Sequence, residues 1–324
     1  MINWLARRLL QAALVVLAMT VVVFLAVNVI GNPVDVLISP DATQAERART
    51  IHDLGLDLPL WRQYGAFLLD AARGDLGRSF VFNQPALRLI LLRAPATLEL
   101  AVASVLLSVL VGVPLGLYAG LRPRSWVSRA VVAGSILGFS VPAFWAGLMM
   151  VVLFSVRLGW LPSSGRGATV ELLGVGWSFL TSDGLRHMLL PALNLALFNT
   201  AVVLRMTRAG TQEVMPADFI RTARAKGLPE RTVVGVHVLR NIAIPVVTVV
   251  GLEFGSTVAF AVVTETVFAW PGMGKLIIDS INVLDRPVIV AFLMLTVVLF
   301  VLINLLVDLA YVLLDPRVRL GGAR

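Results

Sequence analysis

The sequence contains no cysteine. This absence excludes disulfide bonds, thiol catalysis and thiolate metal sites. Histidine is also scarce, and His52, His187 and His237 show no metal-ligand spacing such as HExxH. The sequence has neither a Walker A loop nor a G-x-S-x-G turn. We therefore expect no catalysis and no resident cofactor in this chain; if ATP drives the protein, another chain binds it.

Charge is the second scarce feature. Only 14% of the residues are charged, whereas 58% are hydrophobic. Soluble domains carry roughly 25% charged residues, so this composition indicates a membrane protein. The net charge of +8 does not indicate nucleic-acid binding, because the basic residues lie between apolar runs rather than along one soluble face.

Long apolar runs are abundant. A bilayer core about 30 Å thick requires about 20 apolar residues in a helix. The stretches that meet this requirement predict an all-α protein with six transmembrane helices: Leu9–Ile30, Leu100–Leu121, Ala130–Val156, Met188–Leu204, Ile242–Val263 and Val288–Val307. The first run is too long for a signal peptide, so we expect it to be retained as a helix. A weaker run, Thr169–Leu180, is interpreted as an interfacial or extracytoplasmic loop element.

The distribution of Lys and Arg predicts the orientation. With both termini in the cytoplasm, the inside segments carry most of the basic residues of the termini and short loops, above all between Arg205 and Arg240. The expected organisation is a first cytoplasmic end and helix (1–30), an extracytoplasmic loop with short helices (31–95), a five-helix core (96–314) with a cytoplasmic loop (205–240), and a cytoplasmic tail (315–324).

The long outer loop is predicted to contain two short amphipathic helices. Thr43 and Glu46 form a capping-box pattern, and Gly55 can end the first helix. Pro59 fits the first turn of the second helix. The alternative is a simple linker lying on the membrane surface.

Prolines and glycines within the spans predict their packing. Gly112, Gly116 and Gly120 form a ladder of small residues, and Gly134 with Gly138 repeats the spacing on the next segment. Small residues allow helix backbones to approach closely in lipid. Pro114 and Pro142 predict kinks; these signals are common and do not specify a function.

A polar path is predicted through the spans. Glu253 lies near the middle of the fifth segment, where an ionised acid costs about 2.5–3.5 kcal/mol on insertion scales, so it should face the bundle interior or water. We assign it to a translocation path together with Asn194, Asn199 and Ser256. The alternative is a structural hydrogen bond between helices. Glu99 lies near a segment end, where interfacial solvation would suffice.

A charged stretch between the fourth and fifth spans is predicted to form a bounded helix. Pro216 suits the start of a helix over Ala217–Lys226, and Gly227 can end it in the left-handed conformation. Phe219, Ile220 and Ala223 lie on one side, and Arg221, Arg224 and Lys226 supply charge around the rest. A basic stretch attracted to anionic lipid would explain the charge but not the placed proline and glycine. Docking to a cytosolic partner would explain both.

The same stretch resembles the EAA loop of ABC importer permeases, in the variant of the dipeptide/oligopeptide/nickel family. The resemblance rests on the following stretches: Arg221-Thr-Ala-Arg-Ala-Lys-Gly227, His237-Val-Leu-Arg-Asn241, Gly74-Asp-Leu-Gly-Arg-Ser79, Pro95-Ala-Thr-Leu-Glu-Leu100, Val141-Pro-Ala-Phe-Trp145, Leu158-Gly-Trp-Leu-Pro162 and Glu265-Thr-Val-Phe-Ala-Trp-Pro-Gly-Met-Gly274. It covers nearly the whole chain and is strongest to the first of the two permeases.

The resemblance implies a type I importer permease bundle in the bacterial inner membrane that carries short peptides, nickel or another small solute. Its implied partners are a second permease, two ATPase subunits that bind ATP and Mg, and an extracytoplasmic binding protein. The implied binding-protein contacts are Asp75, Arg78, Glu265 and Trp270; the implied ATPase-coupling residues are Phe219, Ile220, Arg221, Ala223, Arg224, Ala225, Lys226 and Gly227.

Two functions of other classes remain open from the residues alone. A proton-coupled secondary transporter would use Glu253 as its titrating carboxyl and would need no ATPase. A membrane interaction protein without a transport path would need the cytosolic loop but neither Glu253 nor the asparagines.

Overall fold

The computed structural model describes residues 2–29, 43–53 and 57–314. The helices in these ranges are α1 (Ile2–Val29), α2 (Gln44–Asp53), α3 (Leu60–Ala72), α4 (Ala86–Leu121), α5 (Trp126–Ser140), α6 (Ala143–Met150), α7 (Ser182–Val214), α8 (Asp218–Ala225), α9 (Glu230–Thr232), α10 (Leu239–Phe260), α11 (Val262–Val267), α12 (Met273–Asn282) and α13 (Arg286–Leu314). Val151–Arg157 and Val233–Val238 are π-helical. Residues 30–42, the predicted helix stop at Gly55 and the tail 315–324 lie outside the described residues.

Among the residues that the structure describes, five helices are long and apolar enough to cross a membrane, and a bent pair supplies a sixth candidate. The five are Ala6–Ala26, Ala86–Leu121, Ser182–Val214, Glu230–Phe260 and Arg286–Leu309. Each contains most of a span predicted from the sequence. The helices extend well beyond the predicted apolar runs, because hydropathy marks the stretch that suits lipid and not the polar turns that continue the same helix.

The third predicted span is broken rather than kinked. Trp126–Ser140 and Ala143–Arg157 meet at an angle of 104°. Val141 between them is extended, with φ −80° and ψ 127°. Proline disfavours the helical conformation of the residue before it, so Pro142 forces the break at Val141. The single segment Ala130–Val156 is therefore corrected to two helices.

The two short helices predicted within residues 31–95 form where the structure describes them, whereas the side of the membrane on which they lie stays a prediction. The Thr43 backbone N–H donates to Glu46 Oε2 (2.9 Å), and the Glu46 N–H donates to Thr43 Oγ1 (3.3 Å), which is the reciprocal capping box. The second helix, α3, begins directly after Pro59. The weak run Thr169–Leu180 contains an antiparallel hairpin of β1 (Val170–Leu172) and β2 (Val175–Trp177) instead of a span.

The chain divides into two compact units. The first comprises Met1–Ala94 and Gly272–Val301. Its core packs Val23 of α1 against Val290 and Met294 of α13. A buried carboxylate, Asp285, accepts hydrogen bonds from Ser79 Oγ and from the Phe80 backbone N–H, which ties the segment before α4 to the start of α13.

The second unit comprises Pro95–Pro271 and Leu302–Arg324. Its helices α4 and α7 approach each other closely along the predicted glycine ladder. A Cβ added at Gly116 would lie 2.6 Å from the Leu204 carbonyl oxygen, and one added at Gly120 would lie 2.5 Å from Thr211 Cβ. The ladder on α5 differs, because a Cβ at Gly134 would meet nothing within 4 Å.

This difference predicts opposite effects of one substitution. Gly116→Ala should destabilise the purified protein by about 1–3 kcal/mol, because the methyl group must push apart two packed backbones. Gly134→Ala should be neutral or stabilising by up to about 1 kcal/mol, because alanine favours helix and finds open space. Thermal unfolding in detergent measures both. Equal effects would show that the α4–α7 contact is looser than described.

Candidate functional site

A cavity of about 410 Å³ lies in the second unit, between helices α5, α7 and α10. Its polar wall consists of Asn194, Asn199, Glu253, Ser256 and Thr257. The structure thus brings together all four residues that the sequence assigned to a translocation path. Their role in translocation stays a prediction, but they do share one space, and that space has the size of ordinary small-molecule sites.

The two asparagines link the helices around this cavity. Asn194 Nδ2 donates to Thr264 Oγ1 of α11 (2.9 Å), and Asn199 Nδ2 donates to Thr257 Oγ1 of α10 (2.8 Å). The Thr257 hydroxyl in turn donates to the Glu253 carbonyl oxygen (2.6 Å). Both asparagines are nearly fully buried. They therefore link α7 to α11 and α10 and line the cavity at the same time.

The rest of the wall is apolar and partly aromatic. The rings of Phe139 and Phe198 stack with centroids 4.6 Å apart. The guanidinium of Arg205 lies 5.1 Å from the Phe139 ring centroid, within the range of a cation–π contact. The cavity thus combines one acid and several neutral polar groups with a large apolar surface.

The short helix α8 matches its predicted boundaries closely. It spans Asp218–Ala225, directly after Pro216 and Ala217. Gly227 has φ +76°, the left-handed conformation that ends the segment. The proline start and glycine stop therefore act as the sequence predicted.

The side of α8 that faces outward differs from the prediction. Ile220 and Ala223 are buried against the chain's own Val233, Val238 and Ile242, with Leu117 and Val214 packed around them. They hold α8 to the unit and are not available as a docking surface, so any coupling role of Ile220 and Ala223 acts through this packing and stays a prediction. The outward surface is formed by these exposed side chains: Phe219, Arg221, Thr222, Arg224, Ala225 and Lys226. The helical periodicity indicated the apolar side of α8, but it could not show that residues of the same chain cover this side.

An ion pair closes the turn after α8. Arg224 Nε donates to Glu230 Oε1 (2.7 Å), and Arg224 Nη2 donates to Glu230 Oε2 (3.3 Å). The hydrogen bond to this carboxylate raises the pKa of the Arg224 guanidinium, which therefore stays charged. The two-point contact spans Gly227 and links α8 to the helix that begins at Glu230; because both side chains are exposed, it contributes little to stability. Arg224 thus serves this turn as well as the outward surface.

Gly227 offers a clean test of that turn. A Cβ at Gly227 meets no atom within 4 Å, so Gly227→Ala introduces left-handed strain without a clash. We expect a cost of about 1–2 kcal/mol in the turn, and a larger one for Gly227→Pro, whose ring fixes φ near −65°. Gly235→Ala is the matched control, because its Cβ also meets open space and its φ lies outside the left-handed range. Proteolytic cleavage within 226–229 should accelerate only in the Gly227 variants; equal cleavage in the control would contradict the assignment.

The four predicted binding-protein contacts separate into two pairs. Asp75 and Arg78 are exposed, with Asp75 accepting from the Gly77 N–H and Arg78 donating to the Asn83 carbonyl. Glu265 and Trp270 are fully buried. Thr97 Oγ1 donates to Glu265 Oε1 (2.6 Å), and Trp270 Nε1 donates to the Ala96 carbonyl (2.8 Å). Burial corrects their assignment: they contact the turn of α4 that contains Ala96 and Thr97, and they present no surface to a partner.

Glu99 is a functional candidate that the sequence analysis missed. Instead of being solvated at an interface, it is buried and accepts hydrogen bonds from Arg166 Nη2 (2.7 Å), Ser178 N–H (2.6 Å) and Ser178 Oγ (2.7 Å). Arg166 also donates to the Gly176 carbonyl of β2. This network fastens the hairpin segment to α4. The available signal was an acid directly before the apolar run that starts at Leu100.

Comparisons with known proteins identify the family. Residues 112–320 match the family described as binding-protein-dependent transport system inner membrane component, and residues 1–101 match the N-terminal part of such membrane components. The di/tripeptide transport system permease DppB of Pseudomonas aeruginosa is 39% identical, over 98% of this chain and 99% of the relative. The dipeptide transport system permease DppB of Escherichia coli K12 is 37% identical over the same shares.

Solved structures agree on the fold. Two inward-facing crystal forms of the MetNI methionine ABC transporter superpose with TM-scores of 0.54 and 0.56, at 19% and 20% identity. They cover 71% and 70% of this chain, and 98% and 96% of the transporter chains. The bundle is thus of the type I importer permease class. The family match, the near-complete relatives and the membrane-spanning helices lead to one conclusion: the chain belongs to the inner-membrane components of binding-protein-dependent transport systems, in the peptide branch of the ABC importer permeases.

Proposed function

We propose that this protein is one of two permease subunits of an ATP-driven importer for short peptides in the bacterial cytoplasmic membrane. The observation that carries the proposal is the cavity between α5, α7 and α10, whose wall joins one acid and four neutral polar side chains to an apolar surface. The relatives named for dipeptide and di/tripeptide transport support a peptide cargo over nickel or another small solute. Family membership favours this function over a proton-coupled transporter or a pure interaction protein.

Separate subunits supply the energy for transport. Two cytosolic ATPases bind ATP and Mg, and one of them contacts the outward surface of α8. The excess of basic residues between Arg205 and Arg240 supports a cytoplasmic position of this segment, with both termini on the same side. Because Ile220 and Ala223 are packed against Leu117 of α4 and Ile242 of α10, a displacement of α8 acts on both spans.

The cargo arrives from the extracytoplasmic side. A substrate-binding protein delivers the peptide there and contacts the exposed Asp75 and Arg78. Glu99 and Arg166 hold the hairpin segment against the part of α4 that belongs to the second unit. ATP-driven motion of α8 then switches the cavity between outward and inward access.

Reconstitution tests this function. The chain is inserted into proteoliposomes with its second permease and ATPase subunits, and the binding protein is added outside. We expect ATP-dependent accumulation of dialanine and trialanine. Accumulation of Ni²⁺ without peptide, or peptide uptake that persists without the ATPases and collapses with the proton gradient, would overturn the proposal.

A further inference from the structure

The polar wall of the cavity offers mainly hydrogen-bond acceptors, including the carboxyl group of Glu253. One amide N–H of Asn194 and one of Asn199 are already engaged with Thr264 and Thr257, and the Thr257 hydroxyl is engaged with a backbone carbonyl. These bonds consume donors, whereas the amide oxygens and the Glu253 carboxylate remain as acceptors. The cavity therefore suits a ligand group that is positively charged and rich in donors.

Two of these acceptors lack a partner. Within the ranges that the structure describes, the half-buried Glu253 carboxylate makes no hydrogen bond and no ion pair. Asn194 is 3% exposed, and its Oδ1 has no hydrogen-bond partner. A buried oxygen without a donor costs about 1–3 kcal/mol, and an acid inside a span costs about as much again. Both costs fall when a donor enters the cavity.

Arg205 gives the carboxylate only distant compensation. Its guanidinium attracts Glu253 electrostatically, yet the side chain is exposed and lies over Phe139 outside the cavity wall. No ion pair joins the two groups. The Glu253 carboxyl group is thus influenced by Arg205 only from a distance, and it lines the cavity.

We propose that Glu253 and Asn194 form a binding site for the protonated amine of the transported solute, such as the terminal ammonium of a short peptide. The inference rests on the proposed function and assigns it a specificity-determining pair. The ammonium group supplies three N–H donors and one positive charge, which matches a carboxylate and an amide oxygen. The apolar wall around Phe139 and Phe198 then accommodates side chains without selecting among them.

The test measures the preference for a free amine. Dialanine and N-acetyl-dialanine are titrated calorimetrically into the detergent-purified complex of both permeases and the ATPases, without binding protein. We expect the wild-type complex to bind dialanine at least about tenfold more tightly than the acetylated peptide, the effect of one good charged contact. Glu253→Gln should reduce this preference to about twofold or less, and Glu253→Asp should retain most of it.

The control is Glu171→Gln, which neutralises an exposed acid on β1 and should keep the wild-type preference. A preference that survives in Glu253→Gln, or a wild-type complex that binds both peptides equally or neither, overturns the ammonium site. ATP-dependent uptake of dialanine by the same preparations separates the two claims. If uptake is normal in every variant and the preference for a free amine is unchanged, the importer function stands but this site is wrong. If the wild-type complex shows no uptake, the importer function itself is wrong.

Discussion

Ala223→Glu is expected to detach α8 from the apolar cluster that holds it to the second unit. As a result, ATP-driven uptake should fall at least about a hundredfold. Ala223 is 5% exposed and packed in an apolar cluster with Ile220, Val233 and Ile242. A glutamate there must either stay as a buried unpaired charge or expel the helix, at a cost on the order of 3 kcal/mol or more. Since a free-energy change of about 1.4 kcal/mol alters an equilibrium constant about tenfold, the packed position of α8 should become the minor state.

Hydrogen exchange followed by mass spectrometry checks this directly. The amides of α8 should exchange about a hundredfold faster in Ala223→Glu, whereas those of α4 and α7 should keep their protection. Ala225→Glu is the matched control for the packing of α8, because it places the same side chain on the exposed side of the same helix. If the amides of α8 exchange at the same rate in both variants, Ile220 and Ala223 do not anchor the helix.

Glu99→Ala is expected to destabilise the purified complex by about 3–5 kcal/mol. The substitution removes the partner of a largely buried arginine, and breaking a buried pair on one side leaves an uncompensated charge. It also removes the acceptor for the Ser178 N–H and hydroxyl. The loss should appear as a lower midpoint of thermal unfolding and as faster proteolysis between residues 166 and 181.

An exposed ion pair supplies the comparison. Lys275 and Asp279 lie 2.8 Å apart but remain in contact with solvent, so Asp279→Ala should cost less than about 1 kcal/mol. Replacing Glu99 and Arg166 together by methionine should recover part of the loss, because no charge is then left unpaired. Equal losses for Glu99→Ala and Asp279→Ala would mean that the network does not fasten the hairpin segment.

The local features of this fold could be predicted from the sequence. Pro216 and Gly227 bound α8, and Thr43 with Glu46 caps α2, because each of these signals acts over a few residues. The apolar runs located the spans for the same reason. The break at Val141 was underestimated, since Pro142 predicts a disturbance but not its angle.

Features that depend on distant partners could not be predicted. Ile220 and Ala223 are covered by residues of α10 and α4, and Glu99 meets an arginine 67 positions away. Glu265 and Trp270 were assigned to a surface because the resemblance implies a binding-protein contact there, whereas both are buried and hydrogen-bonded to Thr97 and Ala96. The four residues assigned to a translocation path do line one cavity, as expected if an acid within a span faces other polar groups; their role in translocation stays a prediction.

Cysteine crosslinking tests most directly whether a separate ATPase drives this chain through α8. The chain has no cysteine, so single-cysteine variants need no further change. Phe219 and Val170 have similar exposure, 43% and 47%, and lie on α8 and on the β1 hairpin. In the reconstituted importer, Phe219→Cys should crosslink to an ATPase subunit in a nucleotide-dependent manner, and Val170→Cys should not. Crosslinking of the ATPase to Val170→Cys but not to Phe219→Cys would contradict both the orientation and the coupling role of α8.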